Sequence, residues 1–223
     1  MVRSLYTACT GMVHQMNRLD VVTNNMANSD TTAYKKEGST SQSFDSVYGI
    51  KINDSSVNYI HQNIGRMSLG VKVGETYTDY GDGNLEETEQ LYDMALSGKG
   101  FFAISYADRN GNESVRYTRD GNFTVNSQGV LVTKDGDFVL AEDGGLINIP
   151  EGVKISVDES GRITADGQEI AQLQLVDFED YNYLEKFGEN MYIAIDGATT
   201  KDAQCKVYQG YLEASNVNVV TEM

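Results

Sequence analysis

The sequence predicts a mainly β protein with a long N-terminal α-helix, in which a hairpin-rich antiparallel β domain lies between terminal coiled-coil helical segments. Three observations carry this expectation. Leu5, Cys9, Met12, Met16 and Leu19 follow one another at spacings of 4, 3, 4 and 3, and Met26 lies seven beyond Leu19. Side chains so spaced fall on one narrow seam of a helix. Beyond Val71, short alternating or apolar runs are punctuated by Asp120-Gly121, Gln128-Gly129, Asp135-Gly136, Asp143-Gly144, Ser160-Gly161, Asp166-Gly167 and Asp196-Gly197, which are hairpin-turn pairs. Finally, 22 glycines stand against one proline, so turns that need a positive φ are supplied while strand ladders keep their donors. The expected division is residues 1–36, a helical assembly segment; 37–70, an extended connector; 71–208, the β domain; and 209–223, the start of a C-terminal helical segment.

The first helix is expected from Val2 to Met26, about 40 Å long. Its other face carries Arg3, His14, Asn17, Arg18 and Asp20. Asn24, Asn25, Asn28, Ser29, Asp30 and Thr31 then stop it, because short polar side chains compete for backbone hydrogen bonds and tolerate left-handed conformations. Glu37 to Leu69 is polar, with sparse Phe44, Val47, Tyr48, Ile50 and Ile52, and reads as an extended connector with one short strand pair. Val71, Val73 and Tyr77 alternate with polar residues and open the β domain. Leu85, Leu91, Met94, Ala95, Leu96 and the run Phe101 to Ile104 are its first apolar residues. Arg116–Thr118, Asn122–Val125, Val130–Thr133 and Asp137–Leu140 are strands, and Pro150 falls between two more. Near the end, Ser215 is placed as a helix N-cap, with Asn218 three residues on.

Composition narrows the partners. Lys and Arg number 17 against 33 Asp and Glu, a net charge of −16, which argues against nucleic acid and anionic membrane surfaces. No apolar run approaches the length of a membrane span, so no membrane insertion is expected. Thr7, Thr10, His14 and Gln15 interrupt any apolar stretch after Arg3, so no cleaved signal peptide is expected. Cys9 and Cys205, near opposite ends, are expected to be free buried thiols. No catalytic, metal or cofactor site is expected. His14 and His61 lack ligands at zinc spacing. Asp108, Asn110 and Asn112 resemble a calcium loop, but Gly111 comes too early and Arg119 stands where a bidentate Glu belongs. Gly98-Lys99-Gly100 lacks phosphate-loop spacing. The many carboxylates sit mostly at turns, with no Trp to stack a sugar, and read as solvated surface.

Gly11, Gln15, Leu19, Asp20, Asn24, Asn25, Ala27, Asn28, Thr31, Tyr34 and Lys35 together resemble the opening signature of the axial proteins of the bacterial flagellum, the rod and hook proteins. Ala33 stands where that family usually has Gly, and a positive φ there would strain it. Asp82, Leu85, Thr88, Asp93, Ala95, Gly98 and Gly100-Phe101-Phe102 resemble the family's middle run. So do Tyr117-Thr118-Arg119-Asp120-Gly121, Phe123 and Gly129 to Thr133. Gln209, Gly210, Leu212, Glu213, Ser215, Asn216, Val217, Asn218, Val220, Glu222 and Met223 match the closing one. Three motifs in order cover essentially the whole chain.

The resemblance implies a structural subunit of the basal-body rod, not an enzyme, which polymerises into the hollow helical tube that transmits torque. The implied assembly interface is Leu5, Cys9, Met12, Met16, Leu19, Asn24, Asn25, Met26 and Asn28 with Ser215, Asn216, Val217 and Asn218. Gly98, Gly100 and Phe101 are implied as a fold-critical turn into the first buried strand. Implied partners are further copies, other rod and hook proteins and the flagellar type III export apparatus. The implied location is the basal body. A long C-terminal helix pairing with the first one is also implied, of which this sequence holds only the start. The alternatives are a hook subunit or, in another class, an acidic β-rich carbohydrate-binding or peptidoglycan-acting domain.

Overall fold

The computed structural model describes residues 2–51, 62–108, 111, 113–150 and 152–222; Ile52, His61, Asn110, Asn112 and Met223, named above, lie outside the described residues. The chain forms two compact units. One comprises the first helix and residues 36–79, together with Glu222, and the other residues 28–35 and 80–221.

In the first unit, α1 (Val2–Ala27) runs as expected, followed by β1 (Glu37–Ser43), β2 (Val47–Lys51), β3 (Gln62–Met67) and β4 (Val71–Thr78). The strands pair antiparallel, β1 with β4 and β2 with β3, so the connector holds one complete strand pair, β2–β3, and its first strand pairs with β4 beyond it. Val71–Thr78, expected to open the β domain, instead closes this hairpin. The β1–β4 register slips between Ser39 and Ser41. A bulge of this kind sends the following side chains to the other face. Val71 and Val73 are therefore half-buried while Tyr77 is exposed, lying over Gly38.

In the second unit the strands pair antiparallel throughout the described residues. Its first strands are β5 (Leu85–Glu87), β6 (Met94–Lys99), β7 (Phe101–Ala107), β8 (Glu113–Thr118), β9 (Phe123–Val125), β10 (Leu131–Thr133) and β11 (Phe138–Val139). There follow β12 (Ile155–Val157), β13 (Arg162–Ala165), β14 (Gln168–Gln172), β15 (Leu175–Phe178), β16 (Leu184–Phe187), β17 (Met191–Ala194), β18 (Thr200–Asp202), β19 (Gln204–Gln209) and β20 (Tyr211–Glu213). A short helix, α2 (Val219–Glu222), comes last. The main sheet runs β16-β17-β8-β7-β11-β10-β9, with β15 joining β7 to β18. Gln128-Gly129 turns β9 into β10 and Asp135-Gly136 turns β10 into β11, while Ser160-Gly161 and Asp166-Gly167 turn the hairpins of the separate β12-β13-β14 sheet.

β7 organises the core because consecutive residues of a strand face opposite ways. Phe102 enters a cluster with Met94, Leu96, Phe123, Leu131 and Ile147. Phe101 enters a second cluster with Phe178, Leu184 and Tyr192, flanked by Tyr80, Tyr117 and Tyr181, where rings meet edge-on, as for Phe101 and Tyr192 at 5.4 Å. Gly98 and Gly100 have φ of 104° and 158°. They link two buried strands, since Met94 to Leu96 already lie in the core. A Cβ on Gly98 would stand 2.9 Å from the Gln204 carbonyl oxygen, and one on Gly100 2.9 Å from Cys205 Sγ. These glycines admit β19 against β6 and do not make a turn. Leu85 and Leu91, expected among the apolar strand residues, are exposed.

Candidate assembly surface

The expected interface residues fall into two groups. On α1, Leu5, Met12, Met16 and Leu19 are 62–69% exposed, and Cys9 is also exposed. The expectation of a buried Cys9 is corrected, because its seam faces away from the hairpin. Cys205 is half-buried and free, and burial raises its thiol pKa. The helix docks on β1 and β4 through residues that include Thr10, His14 and Asn25, while Asn17, Arg18 and Asp20 stay exposed. Thr10 Oγ1 donates to the Leu69 carbonyl at 3.5 Å. His14 is buried, with Nε2 3.0 Å from Ser41 Oγ and Nδ1 without a partner. Asn25, wholly buried, donates from Nδ2 to the Glu37 carbonyl at 2.8 Å and accepts the Glu37 N–H at 3.0 Å. That amide imitates one rung of a β-ladder. Asn24 is exposed and Met26 half-buried.

The second group lies in the β unit, where the chain enters at Asn28 and leaves after Glu213. Asn28 is buried and accepts from Thr31 Oγ1 at 3.2 Å. The Ala33 N–H donates to the Glu213 carbonyl at 2.8 Å, and the Asn216 N–H to the Tyr34 carbonyl at 3.3 Å. Lys35 Nζ lies 2.6 Å from Glu213 Oε1, both side chains fully buried. Arg119 Nε stands 3.1 Å from Glu213 Oε2, and its Nη1 lies 3.0 Å from Asp82 Oδ1. The Arg119 Nε pairing is electrostatic, since the N–H is not aimed at the oxygen. Glu213 also accepts the Gly83 N–H at 2.8 Å. No side chain fits at Gly83, whose Cβ would stand 1.9 Å from the Ala214 carbonyl oxygen. Burial pushes the Lys35 ammonium below its usual pKa, with Glu213 as the main opposing influence. Lys35 Nζ and Asn216 Nδ2 both donate to the Gly81 carbonyl, at 2.8 and 3.1 Å.

That tethering corrects the C-terminal cap. Ser215 Oγ accepts only from Val217 N–H at 3.2 Å, while Asn218 Oδ1 accepts from Val220 and Thr221 N–H at 3.0 and 3.3 Å. Asn218 is therefore the N-cap, because Asn216 is held out of helical geometry by Tyr34 and Gly81. Val217 is half-buried and Asn218 exposed.

Among the described residues, no group of three His, Cys, Asp or Glu side chains is placed to hold a metal ion. No helix among them is long and apolar enough to cross a membrane.

The two regions coincide with known protein patterns. A family model described as flagella basal body rod protein matches residues 5–35, and one described as flagellar hook protein FlgE/F/G D1 domain matches residues 95–165. A flagellar basal-body rod protein FlgG of Buchnera aphidicola subsp. Schizaphis graminum is 31% identical over 100% of this chain and 88% of its own length. The chain belongs to the flagellar basal-body rod protein family. FlgG of Agrobacterium fabrum is 32% identical with the same coverage, and FlgF of Caulobacter vibrioides 32% identical over 100% of this chain and 86% of its own. As a rod-family member the chain is a structural subunit of the flagellar basal body. The carbohydrate-acting alternative receives no support. The rod-model match ends at Lys35, whose partner Glu213 lies 178 residues away. In the sequence, Lys35, Asp82, Arg119 and Glu213 stand in separate motifs with nothing to join them. Their flanks gave no signal: Lys35 follows Thr31 and Thr32 and precedes Lys36, and Asp82 stands between Gly81 and Gly83.

Proposed function

We propose that this rod-family chain polymerises through the exposed seam of α1, forming the inner wall of a hollow helical tube whose stiffness carries torque. The single observation behind this is that α1 docks on its own hairpin through residues that include Thr10, His14 and Asn25 and leaves Leu5, Cys9, Met12, Met16 and Leu19 in water. A contiguous apolar stripe on a soluble chain marks a partner surface, and spacings of 4 and 3 suit knobs-into-holes packing against like helices. The helix beginning at Val219 is the proposed partner from the other end of the chain. Repeated heterologous contacts that do not close generate a filament. Delivery through the flagellar type III export apparatus belongs to the same proposal.

Leu19→Asp tests it. In cells lacking the native gene, the variant should give truncated rods by electron microscopy and no motility, while the purified chain keeps its β-sheet circular dichroism. Normal rods from Leu19→Asp would overturn the seam as the interface.

A further inference from the structure

The buried ion network in the β unit needs a reason. A buried pair is weak evidence for stability, since apolar side chains of similar volume commonly do as well or better. Charged partners do impose one geometry, and fixing register is the best-attested use of buried polar groups. Here the geometry is specific. Glu213 is reached by Lys35 from the entering segment, and by Gly83 N–H and Arg119 from within the unit. The Ala33–Glu213 and Tyr34–Asn216 backbone bonds run beside the pair. The Gly81 carbonyl accepts from one side chain of each segment.

We propose that Lys35, Arg119 and Glu213 are positioning residues for assembly: they latch the chain entering the β unit to the chain leaving it, so the segments continuing from both ends start side by side in fixed register. The latch rests on the assembly reading above and names the residues that prepare the terminal segments for it. An apolar plug would hold the ends near one another, but it would let them slide.

The test reads the latch in the free chain and assembly in cells. Nitroxide labels are placed at exposed Asp30 and Val220 as D30C and V220C in a C9S/C205A background of the full chain. The unaltered latch should give one narrow distance peak. Lys35→Met should lose that peak while the melting of the β-sheet circular dichroism stays cooperative, and the same substitution without labels should lose motility. If Lys35→Met does not fold, Lys35→Met with Glu213→Gln removes the pair while Arg119 keeps Asp82, and the same loss is expected. A narrow peak in the folded variant overturns the latch. A lost peak with normal rods overturns its role in assembly. Leu19→Asp in the same labelled background separates the two ideas: it should keep the narrow peak and still fail to build rods, so a failure of the seam reading leaves the label result standing.

Discussion

At the scale of single residues, Ala33 is the strained position. Its φ is 56° and it is 1% exposed. A left-handed conformation costs an L-residue about 1–2 kcal/mol, and its N–H bond to Glu213 keeps it there. Ala33→Gly would relieve that strain but lose one buried methyl, worth about 0.8 kcal/mol, so melting should show a change under about 1 kcal/mol. Ala33→Val brings a β-branched side chain to the same φ in a filled site, and should cost more than about 2 kcal/mol in denaturant unfolding. The sequence carried half of this lesson. Ala33 was visible as a departure from a glycine position, but its hydrogen-bond partner, 180 residues on, was not.

At the scale of elements, α1 has two faces with opposite duties, and each makes its own prediction. Leu19→Asp should change free-chain stability by no more than about 0.5 kcal/mol, because the side chain is already in water. Asn25→Ala removes both bonds to the Glu37 backbone and should cost about 2 kcal/mol. Hydrogen exchange would show this as faster exchange in α1 and β1, with the β unit unchanged. The apolar seam was legible in the sequence because it recurs every 3.5 residues on average, the coiled-coil period. The docking face was not, because Thr10, His14 and Asn25 are polar, and β1, which His14 and Asn25 meet, is written mainly in Ser, Thr and Gln. Polar packing of this kind leaves no hydrophobic pattern to read. The hairpins at Gln128-Gly129, Asp135-Gly136, Ser160-Gly161 and Asp166-Gly167 were legible from those pairs, whereas Gly98 and Gly100 looked like a turn and serve close strand packing.

At the scale of the whole molecule, the aromatic core sets the alkaline limit. Burial raises the phenol pKa of Tyr117, Tyr181 and Tyr192, and at Tyr181 the Asp177 carboxylate adds to it. A phenol with a raised folded pKa contributes stability that is fully present below its unfolded pKa, near 10, and is lost as pH climbs above it. Lys35, shifted downward, works in the opposite sense below its usual range, against the three phenols and the Cys205 thiol, whose pKa burial also raises. Stability of the β unit should therefore fall above about pH 10, and tyrosinate absorbance should show a late fraction that ionises together with loss of circular dichroism. A smooth titration of all tyrosines with the fold intact would refute this. The −16 charge acts at the same scale, holding free copies apart until contact is strong enough to overcome repulsion. Cys9 lies on the seam that polymerisation is proposed to cover, and Cys205 is half-buried. Each copy thus carries its own gauge of whether it has joined a polymer. A brief maleimide pulse should modify Cys9 in free chains and spare it in rods, so the labelled fraction followed over time traces the growth curve of an unmodified protein.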